Sequence, residues 1–406
     1  MIVASVAALA FVAAKPVPTP KPVPALQKLQ EAAQAGDATA MNQLASRYSS
    51  GAGFPEDSRK AFELFRKAAE AGNPPAMLNL ATRYRKGDGV PKNEERANEW
   101  VQKAVTSLEA SAGRGDTAAM FALGSIYQFG VGVAVDQMRS RQWLEKGSNA
   151  GDPRAMTALA LSLVQADKDP QQAFGWASRA ANAGEPGAMT LVAELFAAGN
   201  GVARDEKQAI AWLQKAADKG DAAAMRRLGE RYDRGEGVAA NKVEALKWLQ
   251  KSATAGDAAA MTEVGMQLAS GSDGAKDEAE AARYFLSAAY EGDARGMFHL
   301  AAALANGRGI AKDDELAAMW YQRASDRGEA AATNNLALLY MNGRGVEKNA
   351  AEGVARFQKA AALGNVEAMH NLSQAYRKGI GVAVDLTKAD EWEQRARAGT
   401  ETARPH

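Results

Sequence analysis

Between residues 220 and 251 the chain reads GDAAAMRRLGERYDRGEGVAANKVEALKWLQK, and its apolar or small side chains at Ala224, Met225, Leu228, Gly229 and Tyr232 fall on one helical face. The run Gly235-Glu236-Gly237-Val238 breaks that period. A second stripe through Ala245, Trp248, Leu249 and Ala253 then marks another helix. The pattern predicts a two-helix hairpin, helix A followed by helix B.

The hairpin recurs. Its opening glycine returns at Gly36, Gly72, Gly115, Gly151, Gly184, Gly220, Gly256, Gly292, Gly328 and Gly364, with a degenerate last copy at Gly399. Among the first ten the interval is 36 residues except at two places. A fixed period of this size predicts a solenoid, in which each unit buries its apolar face against its neighbours. One elongated domain is therefore expected over residues 25–398.

The residue types explain how the units join. A glycine can end one helix in the left-handed conformation, and the Asp or Asn after it can cap the next; Asp37, Asn73, Asp116, Asp152, Asp221, Asp257, Asp293 and Asn365 occupy that place. Ala45, Ala81, Gly124, Ala160, Gly229, Gly265, Ala301 and Ala337 share one position on helix A, where only a small residue lets A and B come close. The methionines Met41, Met77, Met120, Met156, Met189, Met225, Met261, Met297 and Met369, with Thr333 in the remaining unit, form a stripe regular enough to be core. All seven tryptophans (Trp100, Trp143, Trp176, Trp212, Trp248, Trp320, Trp392) fall in B helices. The cations Lys67, Lys103, Lys146, Arg179, Lys215, Lys251, Arg323 and Lys359 are expected in the last turns of those helices, with Glu94, Asp205, Glu206, Asp313 and Asp314 near their starts, as the helix dipole favours.

The repeated phrase A-x-x-G-D-x-x-A-M-x-x-L-G-x-x-Y-x-x-G-x-G-V, followed by a polar loop and A-x-x-W-x-x-K-A, resembles the Sel1-like repeat, a relative of the tetratricopeptide repeat. The resemblance covers about residues 25–398. It implies an all-α fold, an α/α right-handed superhelical solenoid of about ten repeats, and an adaptor role, often in the bacterial cell envelope. The cysteine-bridged members of that family are not matched here, since the chain has no cysteine.

Composition removes other functions. Lys+Arg 49 against Asp+Glu 48, without a basic block, argues against a nucleic-acid partner. The absence of cysteine excludes disulfides, a thiol nucleophile and a Cys-based zinc site. The three histidines, His299, His370 and His406, stand too far apart in the repeat register for a metal site. No Ser-x-x-Lys, Gly-x-Ser-x-Gly or His-Glu-x-x-His occurs, and the Gly-x-Gly loops lack the strand and third glycine of a dinucleotide fingerprint. The reading is a protein that is not an enzyme, with no cofactor, no metal and no catalytic residue assigned.

The amino terminus points outside the cytoplasm. Residues 2–13 are an uncharged apolar run, shorter than the ~20 residues of a membrane span. They suit a signal-peptide core before Val12-Ala13-Ala14, or a short membrane anchor, over residues 1–14; the missing basic n-region leaves a misassigned start open as well. Alternate prolines over 15–24 predict an extended linker, and 399–406 reads as a disordered tail. A periplasmic or otherwise exported protein is expected, with a cytoplasmic one as the alternative.

Binding residues are sought where the pattern varies. Two places after the Ala of the Ala-Met pair, the A helices carry Asn42, Leu78, Phe121, Thr157, Thr190, Arg226, Thr262, Phe298, Asn334 and His370. Phe121, Phe129, Leu161 and Val164 are expected to form an apolar patch beside the irregular units. Such a ladder suits a groove for a protein or peptide, with Asn42, Leu78, Phe121, Phe129, Leu161, Arg226, Phe298, Asn334 and His370 as contacts. The same rings would equally complete the packing between successive A helices. Phe298, Asn334, Asn335, His370 and Asn371 suggest an alternative, a glycan or peptidoglycan ligand. Three irregularities stand out: seven extra residues near 105–111, predicted to lengthen one B helix in phase; three missing residues between 163 and 173; and the altered loop Gly271-Ser272-Asp273-Gly274.

Overall fold

The computed structural model describes residues 23–50, 57–166, 169–271 and 276–402, and among these every regular element is helical. The leader and most of the linker, the shortened loop at 167–168 and the altered loop at 272–275 lie outside the described residues. After α1 (Val23–Gln34), the A helices are α2 (Ala38–Ser50), α4 (Pro74–Lys86), α6 (Thr117–Phe129), α8 (Pro153–Gln165), α10 (Pro186–Ala198), α12 (Ala222–Arg234), α14 (Ala258–Ser270), α16 (Ala294–Asn306), α18 (Ala330–Asn342) and α20 (Val366–Lys378). The B helices are α3 (Ser58–Glu70), α5 (Glu94–Gly113), α7 (Gln137–Asn149), α9 (Pro170–Asn182), α11 (Glu206–Asp218), α13 (Lys242–Thr254), α15 (Glu278–Tyr290), α17 (Asp314–Asp326), α19 (Ala350–Ala362) and α21 (Leu386–Thr402). Helix α1 begins inside the expected linker, and α21 runs past residue 399, where the tail was expected to start.

The expected single domain divides into two compact units, Met1–Ala150 and Gly151–His406. Within each, A packs on its own B, and B packs on the following A. The closest approaches between alternate helices fall in the A row, at α2–α4 in the first unit and α8–α10 and α14–α16 in the second. Within each unit the A helices are thus the more crowded row.

Local chemistry sets the hairpin ends. Asp221 accepts the Ala224 amide at 2.8 Å, and Asp257 accepts that of Ala260 at 2.8 Å, each satisfying a donor at a helix start that has no intrahelical partner. Gly235 ends α12 with φ 72. The second glycine of the loop has a different job. At Gly309 a Cβ would run into the Glu278 carbonyl, and at Gly345 into that of Asp314, so each loop seats directly on the first turn of the preceding B helix. The small position on helix A is likewise required by contact: a Cβ on Gly229 would lie 2.8 Å from Leu249 Cγ, and one on Gly265 2.7 Å from the Phe285 ring.

The insertion lengthens α5 to 20 residues against 13 in the other B helices before α21, and it buries Val101, Ala104, Val105, Leu108 and Ala112 along one face. Two added turns therefore keep the stripe in phase. One consequence is that Lys103 sits mid-helix, away from the expected last turn. The methionine stripe is core in part: Met77, Met156, Met189 and Met297 are buried, while Met41, Met120, Met225, Met261 and Met369 are half-exposed at its edge.

The tryptophans reveal why a cation follows each by three residues. Lys103, Lys146, Arg179, Lys215, Lys251, Arg323 and Arg395 lie over Trp100, Trp143, Trp176, Trp212, Trp248, Trp320 and Trp392, between 3.8 and 4.9 Å from the ring centroids. Each such contact is worth about 0.5–1 kcal/mol at an exposed site. No described helix is long and apolar enough to cross a membrane.

Candidate partner-binding surface

Within each unit the A helices carry one ladder residue per repeat, and five of the ten, Asn42, Thr157, Arg226, Thr262 and Asn334, are tied to the neighbouring A helix or its cap. Asn79 Nδ2 donates to Asn42 Oδ1 at 2.9 Å. Thr157 and Thr262 hydroxyls reach the capping carboxylates Glu185 and Asp293 of the next repeat at 3.1 and 2.7 Å. Arg226 Nε donates to Asp257 Oδ2 at 3.3 Å, and its guanidinium also pairs with Glu230. Asn371 Nδ2 donates to Asn334 Oδ1 at 2.9 Å. These bonds hold successive repeats in register.

Exposure then sorts the expected contacts. Asn334 is 1% exposed, which corrects its expected place on the binding surface: its carboxamide is consumed between α18 and α20. Leu78 is half-buried against the core of the first unit. Phe121 is half-buried on α6. Phe298 is half-buried, 5.0 Å from the His299 ring and 6.0 Å from that of Tyr321. His370 Nδ1 lies 3.0 Å from Glu393 Oε2. Phe129 is 70% exposed at the end of α6, followed by exposed Val131 and Val135 in the loop and Met138 at the start of α7. Phe121 and Phe129 belong to the first unit, whereas Leu161, which is exposed, and Val164, packed on the core, belong to the second.

Two titratable groups on the A row are shifted toward their uncharged forms. Burial pushes the Glu263 carboxyl above its usual range, and the neighbouring Glu230 adds to this, against the opposing charges of Arg226 and Arg295. Burial between Phe285 and Phe298 holds the His299 imidazole below its ordinary value. Among the described residues no cluster of three or more His, Cys, Asp or Glu could hold a metal ion.

A charged cleft on α12 lies outside the ladder that the repeat pattern singles out. Arg227, Arg231 and Arg234 stand at i, i+4 and i+7, so one face presents three guanidiniums. With Glu194 of α10 and Glu236 of the α12–α13 loop they line a cavity of about 110 Å³ floored by Ala193 and Leu213. The spacing R-x-x-x-R-x-x-R was the available signal, but its meaning depends on acids that other helices supply.

The Sel1 repeat model matches ten consecutive segments, 38–73, 74–106, 117–152, 153–185, 186–221, 222–257, 258–293, 294–329, 330–365 and 366–398. A protective antigen present in uropathogenic Escherichia coli strains, whose crystal structure displays an SLR fold, is 30% identical; the match covers 91% of this chain and 79% of that one, with a TM-score of 0.54. A Sel1 repeat protein from Oxalobacter formigenes is 29% identical over 77% of this chain and 90% of its own, with a TM-score of 0.50. No curated protein matches the chain.

Proposed function

The chain belongs to the Sel1-repeat family, and from that premise we propose that it is a non-enzymatic scaffold of the bacterial cell envelope, holding an extended peptide or partner domain against its row of A helices. Sel1-repeat proteins generally mediate contacts between proteins. The observation that carries the reading is the mixed chemistry of one repeat position. Phe121 and Phe298 are partly accessible at a place that other repeats fill with Leu, Asn, Thr, Arg or His. A row of unlike groups on successive rigid helices can read an extended segment one residue type at a time.

The test is binding of an identified partner by the unaltered protein and by Phe121→Ala and Phe298→Ala. Loss of roughly tenfold in affinity is expected for whichever ring anchors the segment. Unchanged affinity in both variants would remove the groove from the reading. The compartment rests on the apolar run at residues 2–13 and the proline-rich stretch after it. Fusion of residues 1–30 to a reporter active only outside the cytoplasm checks it, and an inactive fusion argues for the cytoplasmic alternative. The glycan alternative has less support: Asn334, Asn335 and Asn371 use their amides on one another and on the Tyr321 hydroxyl.

A further inference from the structure

The cleft on α12 has donor capacity to spare. Glu194 is held by Arg227 Nη2 at 2.5 Å, Glu230 by Arg226, and Glu206 by Arg231 and by Arg204. Every acid there except one is tightly paired. The exception is Glu236, on the glycine loop, which both Arg231 and Arg234 reach only at 3.8 Å. Meanwhile Arg227 Nε is buried without an acceptor among the described residues. A buried guanidinium N–H left unmatched is costly, and it prefers the planar acceptor pair of a carboxylate.

We propose that this cleft receives an acidic side chain, Glu or Asp, from the partner segment, which takes the place of Glu236 between Arg231 and Arg234 and accepts the Arg227 Nε–H. The proposal deepens the groove reading and rests on it for the identity of the partner as a polypeptide. Two further features select the ligand. The apolar floor of Ala193 and Leu213 suits the methylene stem of an acidic residue. The flanking Glu194 and Glu230 carboxylates disfavour a dianion such as phosphate, whereas a monoanionic carboxylate exchanges for Glu236 without changing the net charge. Glu236 then acts as an internal competitor, and this makes the site testable from both directions.

The probes are blocked hexaglutamate and hexaglutamine peptides, acetate and inorganic phosphate, titrated at low salt into the full chain. Binding is followed by calorimetry and by the NMR resonance of the Arg227 Nε–H. Hexaglutamate is expected to bind saturably and to shift that resonance, while hexaglutamine does neither. Glu236→Gln should tighten hexaglutamate severalfold by removing the competitor. Arg227→Gln should weaken it by roughly tenfold at an unchanged melting temperature, as loss of a charge-assisted bond implies. An unmoved Arg227 resonance in both the unaltered protein and Glu236→Gln overturns the proposal, as does phosphate binding as tightly as hexaglutamate. Arg227-dependent hexaglutamate binding alongside unchanged partner affinity in Phe121→Ala and Phe298→Ala keeps the cleft and discards the aromatic groove, so the two readings fail separately.

Discussion

The second and sixth repeats carry the same arginine at the same place on helix A, Arg83 on α4 and Arg231 on α12, yet use it in opposite ways. Arg83 is buried over the Phe65 ring, 5.5 Å from its centroid, and closes on its own loop acid Asp88 while donating to Ser49 of the preceding repeat. Arg231 instead pairs backward with Glu206, on the first turn of the preceding B helix, and leaves its loop acid Glu236 loose. The cause is one residue at the start of that B helix. There the first repeat has Ser58, which carries no charge, and the fifth has Glu206. The difference teaches that a repeat's surface is decided by its neighbour as much as by itself.

The largest expected effect tests whether the two repeats share a core beneath these different surfaces. Leu80→Ala and Leu228→Ala remove equivalent, fully buried side chains, and each should cost about 2–5 kcal/mol by denaturant unfolding. Unequal losses well outside that range would show that the repeats differ inside as well. Next come the loop glycines. Gly89 and Gly237 have φ 75 and 74, but a Cβ at Gly89 would overlap the Ser58 carbonyl, whereas at Gly237 it would stand 2.8 Å from the Glu206 oxygen. Gly237→Ala should cost roughly 1–2 kcal/mol for the backbone conformation alone, and Gly89→Ala more.

The acids give a smaller contrast. Asp88→Asn should cost about 1 kcal/mol, since it strips the charge from a largely enclosed arginine, while Glu236→Gln should stay within ~0.5 kcal/mol. Glu206→Ser should swing Arg231 onto Glu236, make the sixth repeat resemble the second, and abolish hexaglutamate binding at the cleft.

The smallest effect concerns pH. Beyond the second repeat, helix α6 has Ala122 where α14, beyond the sixth, has Glu263. Burial raises the Glu263 pKa above its unfolded value, so folding favours its protonated form. Its favourable contribution is present below the unfolded carboxyl range and lost as pH rises through the folded one. Glu263→Gln, a mimic of the protonated group, should therefore melt higher than the unaltered protein at pH 7 to 8, with the gain closing as the pH falls toward the carboxyl range. A gain that persists unchanged in acid would show that burial of the charge is not its source.

Much of the fold was legible because its determinants are short-range. A capping Asp bonds amides two or three residues away, a glycine takes positive φ by itself, and the stripe Ala224, Leu228, Tyr232 depends only on helical spacing. The same reasoning predicted that the insertion would extend α5 in phase. The surface was legible in smaller part. The ladder residues were identified, but not that Asn42 would bond Asn79, that Arg226 would bond Asp257, or that Asn334 would be buried.

The sequence by itself determined the hairpin register, the caps and the buried seam, since each is written within a few residues of the chain. Tertiary structure decided where the chain divides into compact units, which ladder side chains are spent between repeats, and which arginines keep a donor in reserve. Those last outcomes depend on partners about one repeat away, and a periodic pattern read one unit at a time does not record what the adjacent unit supplies.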